Sequence, residues 1–416
     1  MAELHSQVLT PRALFAFGVA GVLLLALSAR TGVAALAPLA GDIDLDVPLD
    51  GLFLGLLGMI PPIAYGIAAW LTRPLAARLN LETIAVAVGA LAALGHVLRG
   101  LSPNYLGLFI VTAVLMLAVG VTNVLLPALV KLYAPGHIGP VTSVYSLLMA
   151  VSTATPAIFG VWLADQAGWR WSLGSWAVVS AVAMIPWLLL LPYAKARQSA
   201  ERIALVDSPP ASDRSSLWGS VTARWLAVLF ALSGFVAYSM FAVLPAILVE
   251  TAGFGRDEAG FALFVWSILG VPMSLVIPLL AVRPGWPPRL AVFASVSGVT
   301  GFTGLLVMPG TLTYVWVVLT GLATISFSLV LTLIGSRTEN HHTAAQLSGL
   351  VNTVGYFIAG VGPILVGLLA QLSGQWWPAL VLLGSASALS AFAYPVLRRG
   401  TTVDAEMRTI SAHMSR

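Results

Sequence analysis

The chain has 416 residues, of which 59% are hydrophobic and only 9% are charged. Typical soluble domains contain about 25% charged residues, so this composition excludes a large soluble domain and predicts a polytopic membrane protein. The absence of cysteine excludes disulfides, thiol catalysis and cysteine-ligated metal sites. The N-terminal residues lack a signal-peptide pattern, so we expect the first apolar run to remain as a membrane helix.

Apolar runs of roughly 20 residues are long enough to cross a bilayer as helices. The sequence contains twelve such runs, which predicts an all-α membrane protein with twelve transmembrane helices in two pseudo-symmetric six-helix bundles. The predicted spans are about 12–38, 50–72, 82–99, 104–130, 141–164, 171–191, 222–249, 258–281, 289–308, 311–334, 343–371 and 377–397.

One hydrophilic stretch, residues 192–221, divides the twelve spans into six and six. It contains the sequence KARQSAERIALVDSPPASDRSS at 195–216, which is too polar and too short to form a folded domain, and we interpret it as a flexible cytoplasmic linker. The predicted organisation is an N-terminal six-helix bundle over 1–191, the linker over 192–221, and a C-terminal six-helix bundle with a short cytoplasmic tail over 222–416.

The positive charges are distributed asymmetrically between the two sides of these spans. If the N-terminus is inside, all but four of the 20 Lys and Arg residues fall on the inner side, and the exceptions are Arg30, Arg99, Arg170 and Arg256. Because Lys and Arg concentrate in cytoplasmic loops, we predict a multi-pass protein of the cytoplasmic (inner) membrane with both termini in the cytoplasm.

The two halves contain traces of an internal repeat. At an offset of 206 residues, LADQAGWRW (163–171) aligns with LAQLSGQWW (369–377), with four identities in nine positions. The same offset aligns Lys131 with Arg337, each at the predicted cytoplasmic end of the fourth helix of its half. Together with twelve spans and a central linker, this repeat favours a two-bundle transporter architecture.

Four stretches in both halves have a familiar pattern: ALAPLAGDI (35–43), LRGLSP (98–103), NVLLPALVK (123–131) and LSGLVNTVGYFIAGVGPILVGLL (347–369). On these stretches the sequence resembles the cyanate/2-nitroimidazole porter family of the major facilitator superfamily. The resemblance implies secondary active transport of a small anion or small polar molecule by alternating access. Two general superfamily motifs are degraded, since TRPLAARLNLE (72–82) lacks the expected Asp and VSTATPAIFG (151–160) has a single Pro and Gly.

Arg30 lies inside the first apolar run, in LLALSARTGVAALAP (24–38). It is about 27 Å along a helix that begins near Arg12, so its side chain could snorkel to the outer headgroups or bond to neighbouring carbonyls. All sixteen carboxylates fall in loops or near span ends, so no mid-span acid neutralises Arg30. Intramembrane ionisable residues often mark a substrate path, and the resemblance places the first helix of each half along the central cavity. We expect Arg30 to bind an anionic or electronegative substrate through its planar fork.

Other polar and aromatic residues within the spans are further candidates. Asn123 could bind substrate or a carbonyl freed by Pro127, and Tyr238 lies close to the repeat position of Arg30. Trp266 and Tyr65 could stack on a flat substrate, although membrane aromatics also serve as packing or interfacial anchors. The full set of predicted substrate-binding residues is Arg30, Asn123, Tyr238, Asn352, Tyr356, Trp266 and Tyr65.

Asn352 and Tyr356 lie four residues apart and share one helix face. By contrast, we interpret Arg99, at the outer end of the third span, as an anchor for phosphate headgroups. The sequence contains no catalytic or metal-binding constellation, so we expect neither an enzyme nor a cofactor.

Proton coupling is left open by the sequence. Proton-coupled carriers usually place Asp, Glu or His within the membrane, and the available groups are His96 near the outer end of the third span and Glu250 at the outer end of the seventh. Three routes remain: titration of His96 or Glu250, protonation of the substrate, or uniport and exchange without protons. The resemblance favours proton-linked transport.

The alternative function is multidrug efflux of neutral or anionic drugs, since the missing mid-span carboxylate argues against cationic drugs. We find no nucleotide-binding motif and no soluble signalling domain, which argues against an ATP-driven pump or a receptor. The expected partners are a small-molecule substrate, the lipid bilayer and protons if transport is proton-linked, with no nucleic acid. We expect a monomer. The direction of transport and the substrate itself do not follow from these patterns.

Overall fold

The computed structural model describes residues 10–206, 217–339 and 341–414. All regular secondary structure in these residues is helical, with no strand among them. Twelve helical spans are long and apolar enough to cross a membrane. The predicted all-α fold with twelve transmembrane helices is therefore confirmed, and the protein is a multi-pass membrane protein.

The spans are numbered α1 to α12, and α13 is the C-terminal helix. The continuous helices are α2 Gly51–Arg78, α3 Leu81–Gly100, α4 Tyr105–Tyr133, α5 Ile138–Ala167, α7 Val221–Ala252, α9 Trp286–Val307, α11 His341–Ser373 and α13 Val403–Met414. The interrupted spans are α1 (Pro11–Ser28, Thr31–Ala34, the 3-10 turn Ala37–Leu39, and Ala40–Asp44), α6 (Trp169–Ser175 and Ala177–Val206), α8 (Arg256–Ile268 and Gly270–Ala281), α10 (Thr313–Leu322 and Ile325–Ser336) and α12 (Trp377–Leu389, the 3-10 turn Ser390–Ala393, and Tyr394–Arg399).

The linker between the two bundles is shorter in the described residues than the hydropathy pattern predicts. Helix α6 continues to Val206, into the stretch predicted as a linker over 192–221, and α7 begins at Val221. Residues 207–216 of that stretch lie outside the described residues. The hydropathy pattern predicts an earlier end for α6 because the last turns of this helix are polar. A helix needs apolar residues only where it crosses lipid, so polar turns can extend it beyond the membrane.

The buried apolar side chains form one cluster mainly within α1–α6, which also includes Tyr238 and Ala359, and two clusters mainly within α7–α12. The spans alternate in direction, so the loops after odd-numbered spans meet at one end of the molecule. We call this the distal end, because the first described residues of α1 and the last of α12 lie at the opposite end. Three side chains join the two halves here, and we call them the distal latch: Arg256 Nη2 is 2.5 Å from Asp42 Oδ2 and 3.2 Å from Asp165 Oδ1.

Glycines allow the two halves to touch near the distal latch. A Cβ on Gly367 of α11 would overlap the carbonyl oxygen of Gly51, and one on Gly55 would overlap the carbonyl oxygen of Pro363. Small residues permit helices to approach at backbone distance. Gln371 adds a hydrogen bond of 2.8 Å to the Asp50 side chain across the same junction. The distal end is therefore closed.

The C-terminal helix α13 is fastened to the second half by its two carboxylates. Glu406 accepts hydrogen bonds from the hydroxyls of Ser220 (2.6 Å) and Thr222 (2.6 Å) at the start of α7. Asp404 accepts from the Thr343 hydroxyl at 2.7 Å. Burial alone would raise the pKa of the Glu406 carboxyl, but the hydrogen bonds outweigh burial and hold that pKa below its usual value of 4.5.

The lowered pKa of Glu406 predicts a pH-dependent contribution to stability. We expect Glu406→Gln to lower the apparent Tm in detergent by roughly 2–4 °C at pH 7, because charge-assisted hydrogen bonds are lost. The difference from wild type should shrink as the pH falls below 4.5, where protonation removes the same bonds from wild type. Asp257→Asn, at an exposed carboxylate, is the control. Equal melting curves for wild type and Glu406→Gln at pH 7 would contradict the proposed contacts.

The glycine contact predicts how the distal end opens. We expect Gly367→Val to separate α2 from α11, whereas Gly349→Val on the same helix should have little effect because no atom lies within 4 Å of a Cβ there. The chain lacks cysteine, so Leu54→Cys provides a unique reporter, buried among second-half residues. Its maleimide labelling rate should rise several-fold with Gly367→Val, and unchanged labelling would argue against this contact as the closing surface.

Candidate functional site

Helix α1 breaks at Arg30. Its first piece ends at Ser28, and Arg30 has φ −119° and ψ −10° before a new helical turn begins at Thr31. Instead of joining the helical ladder, the Arg30 backbone N–H donates to the Ser152 hydroxyl of α5 at 3.1 Å. The Thr31 hydroxyl donates to the Ser28 carbonyl at 3.1 Å. Side chains thus satisfy backbone groups freed by the break, as membrane interiors require.

The Arg30 side chain lies among three tyrosines from both halves of the molecule. Its guanidinium carbon is 5.3 Å from the centroid of the Tyr65 ring of α2, within cation–π range. Tyr238 of α7 and Tyr356 of α11 also lie close to Arg30. The three rings meet edge to face, with centroid separations of 5.8 to 6.4 Å. The site is therefore shared between the bundles.

No carboxylate of the described residues lies within 4.0 Å of the Arg30 guanidinium. The ion pairs of the described residues are formed by other arginines, outside this site. Arg30 is only partly buried. Neither snorkelling nor an acidic partner accounts for its position, because the side chain packs among tyrosines shared by both halves. The sequence-based census of carboxylates therefore agrees with the structure at this residue.

Two polar groups beside Arg30 keep free hydrogen-bonding capacity. The Tyr65 hydroxyl is close to both Arg30 and Asn123, but it is buried with no well-formed hydrogen bond to any described residue. The same is true of the side-chain oxygen of Asn123 on α4. Buried polar atoms are normally paired, so these atoms are candidates to bind a ligand. We call Arg30, Tyr65, Asn123, Tyr238 and Tyr356 the Arg30 cluster.

Close helix packing brings the cluster together. A Cβ on Gly120 of α4 would lie 3.1 Å from the Tyr65 ring, and one on Gly234 of α7 would lie 2.8 Å from Ala359 of α11. The glycine at 120 lets α4 carry Asn123 against α2, and the glycine at 234 lets Tyr238 and Tyr356 meet. The positions of these two glycines in the sequence do not indicate which helices they bring together.

Two other predicted residues do not belong to the Arg30 cluster. Asn352 donates its side-chain N–H to the carbonyl (2.8 Å) and hydroxyl (3.1 Å) of Ser348, one turn earlier on α11. Trp266 packs edge-on against Phe241 with centroids 4.8 Å apart, and its indole nitrogen is buried without a partner in the described chain. Neither has a contact with Arg30 among the described residues.

The two candidate proton groups also do not belong to the Arg30 cluster. His96 on α3 is 1% exposed, and it lies beside Gly32, beyond the break in α1. Glu250 is exposed at the end of α7 and accepts a hydrogen bond of 2.8 Å from the Trp376 indole. Glu250 therefore has a structural partner at the distal end.

The interpretation of Arg99 as a headgroup anchor is wrong. Arg99 is fully buried, and its Nη1 donates to the Gly32 carbonyl at 2.9 Å. The cause is the break in α1, which frees that carbonyl and draws the guanidinium inward. Sequence reasoning also missed the burial of Glu82, which is 1% exposed and bonds to the Tyr133 hydroxyl. Hydropathy places both residues at span ends and carries no signal of the tertiary contacts that bury them.

Comparison with known proteins agrees with this architecture. The sequence profile of the Major Facilitator Superfamily matches residues 19–363. The 2-nitroimidazole transporter of Escherichia coli (strain K12) is 30% identical over 360 residues, which cover 86% of this chain and 89% of that protein. The cyanate transport protein CynX of the same organism is 24% identical over 362 residues, covering 85% and 90%.

Solved structures extend the comparison to three dimensions. The crystal structure of the nucleoside transporter NupG superposes with a TM-score of 0.73, covering 92% of this chain and 98% of that one, at 16% sequence identity. At this identity the likeness shows the fold alone. The family match and the fold lead to one conclusion: the chain belongs to the Major Facilitator Superfamily, and it resembles the cyanate and 2-nitroimidazole transporters within it.

Proposed function

We propose that this protein is a secondary active transporter that moves a small anion, or a small electronegative molecule such as a nitro compound, across the cytoplasmic membrane. The observation that carries the proposal is the Arg30 guanidinium, which lies between both halves of the molecule with no carboxylate of the described residues beside it. A bound anion supplies the missing negative charge. The names of the relatives, a 2-nitroimidazole transporter and a cyanate transport protein, support this substrate class.

The geometry of the cluster suits a small planar ligand. A guanidinium presents a planar fork of N–H donors that matches a carboxylate or nitro group. The free Tyr65 hydroxyl and the side chain of Asn123 offer further polar contacts. Tyrosine rings on three sides can pack on the flat faces of such a ligand.

The proposed mechanism is alternating access. The bundles 1–191 and 222–416 rock about the Arg30 cluster, with both termini in the cytoplasm and the distal end outside. The described state is closed at the distal latch, so the cluster is shielded from the outer side. Since one chain supplies residues from both sides of the site, we propose that the monomer is the working unit.

Transport in proteoliposomes tests the substrate class and the coupling. We expect saturable uptake of labelled cyanate or 2-nitroimidazole, and stabilisation of the purified protein by small anions in a thermal-shift screen. Faster uptake under an imposed pH gradient would indicate proton linkage, and equal rates would indicate uniport or exchange. Stabilisation by bulky neutral or anionic drugs alone, without uptake of small anions, would favour multidrug efflux instead.

The role of Arg30 is tested by two substitutions. We expect Arg30→Ala to abolish uptake, and Arg30→Lys to weaken apparent affinity at least tenfold, because lysine keeps the charge but loses the planar fork. Arg224→Lys, at an exposed residue near the start of α7, is the matched control and should transport normally. Full transport by Arg30→Lys would exclude two-point binding, and full transport by Arg30→Ala would exclude Arg30 from the site.

A further inference from the structure

A small cavity of about 30 Å³ lies between the two halves, beyond the Arg30 cluster toward the distal end. Its wall is formed by α1, α2, α3, α4 and α7 and is mostly apolar, with Arg99, Thr112 and Tyr238 as its polar side chains. This volume accommodates about two water molecules or one small anion. Tyr238 also belongs to the Arg30 cluster, so the cavity and that site have one side chain in common.

Arg99 has more hydrogen-bond donors than the described protein satisfies. It is fully buried, and its single hydrogen bond runs from Nη1 to the Gly32 carbonyl. The Nε and Nη2 atoms are buried without partners, and no described carboxylate forms an ion pair with Arg99. The neighbouring His96 side chain is neutral or cationic in any protonation state, so it cannot supply a counter-charge. A buried unpaired cation is costly.

Thr112 contributes a second free group on α4. Its hydroxyl is buried and has no partner among the described residues. Threonines elsewhere in these helices bond to the carbonyl four residues earlier, as Thr122 does to Ala118 (3.1 Å) and Thr72 does to Ala68 (2.7 Å). The Thr112 hydroxyl lacks this internal bond, which leaves it available to a ligand in the cavity.

We propose that Arg99 and Thr112 form a second anion subsite, which takes a small monoanion such as a carboxylate group or a triatomic oxyanion. The guanidinium donates from Nε and Nη2, and the Thr112 hydroxyl donates to the same anion. Gly32 also lines the cavity, and its lack of a side chain lets α1 approach α4, since a Cβ there would lie only 2.8 Å from the Met116 methyl group. If the protein transports an anion as proposed, this subsite would bind the anion before it reaches Arg30, and that role rests on the proposed function. Anion binding by the subsite does not.

Formate is a suitable probe because its three heavy atoms match the cavity. Thermal-shift titrations of the full chain with sodium formate, against sodium gluconate at equal ionic strength, measure binding. We expect formate to stabilise both wild type and Arg30→Ala, because the second subsite survives removal of the first. Thr112→Val in the Arg30→Ala background should weaken apparent formate affinity about three- to tenfold, and Arg99→Gln should abolish the shift.

Thr122→Val, made in the same background, is the matched control on the same helix and should leave the formate shift unchanged. The threonine variant keeps the test decisive if Arg99→Gln does not fold, because valine preserves shape and no internal bond is lost at position 112. The proposal is overturned if formate does not stabilise Arg30→Ala, or if Thr112→Val titrates like its parent. Neither result bears on the proposed function, which is tested separately by uptake in proteoliposomes containing wild type.

Discussion

The arrangement of the site depends on one electrostatic constraint, a guanidinium held within the span of a membrane protein without an acid of the described chain to neutralise it. An arginine at the centre of a membrane helix costs about 2.5–3.5 kcal/mol on insertion scales. The cation–π contact of Arg30 with Tyr65 recovers about 0.5–2 kcal/mol. No described side chain offsets the remainder, which is why we propose that a bound anion does so. A site of this kind would be most stable when occupied.

The two halves are complementary at this point. The first half supplies the charge, one aromatic ring and an amide, and the second half supplies Tyr238 and Tyr356. In the proposed mechanism, a substrate that contacts all of them holds the halves together, and its release frees them to separate. The glycines between α2 and α11 let the two backbones touch, so closure of the distal end depends on small side chains at this contact. The proposed substrate site and the closing contact therefore involve the same pair of helices, α2 and α11.

Much of this molecule follows from its sequence, since hydropathy predicts twelve spans and the carboxylate census predicts an unneutralised Arg30. The length of the apolar runs and the positions of the charged residues can both be read directly from a single sequence. The break in α1 does not follow, because it is stabilised by Ser152, 122 residues away. The burial of Arg99 follows from that break, so hydropathy misplaces Arg99 at the lipid surface. The side-chain N–H of Asn352 donates to Ser348, one turn earlier on its own helix, a contact that its predicted helix face does not reveal.

The segmented course of α1 has a mechanical consequence. Its first piece packs within the first half, whereas the 3-10 turn Ala37–Leu39 also contacts α7 and α8 of the second half. Asp42, at its far end, is bound by Arg256. Separation of the halves at the distal end therefore pulls on the far pieces of α1 while the first piece stays in place. The break at Arg30 lies between these pieces, so in the proposed mechanism the spacing of the bundles would change the orientation of the Arg30 guanidinium.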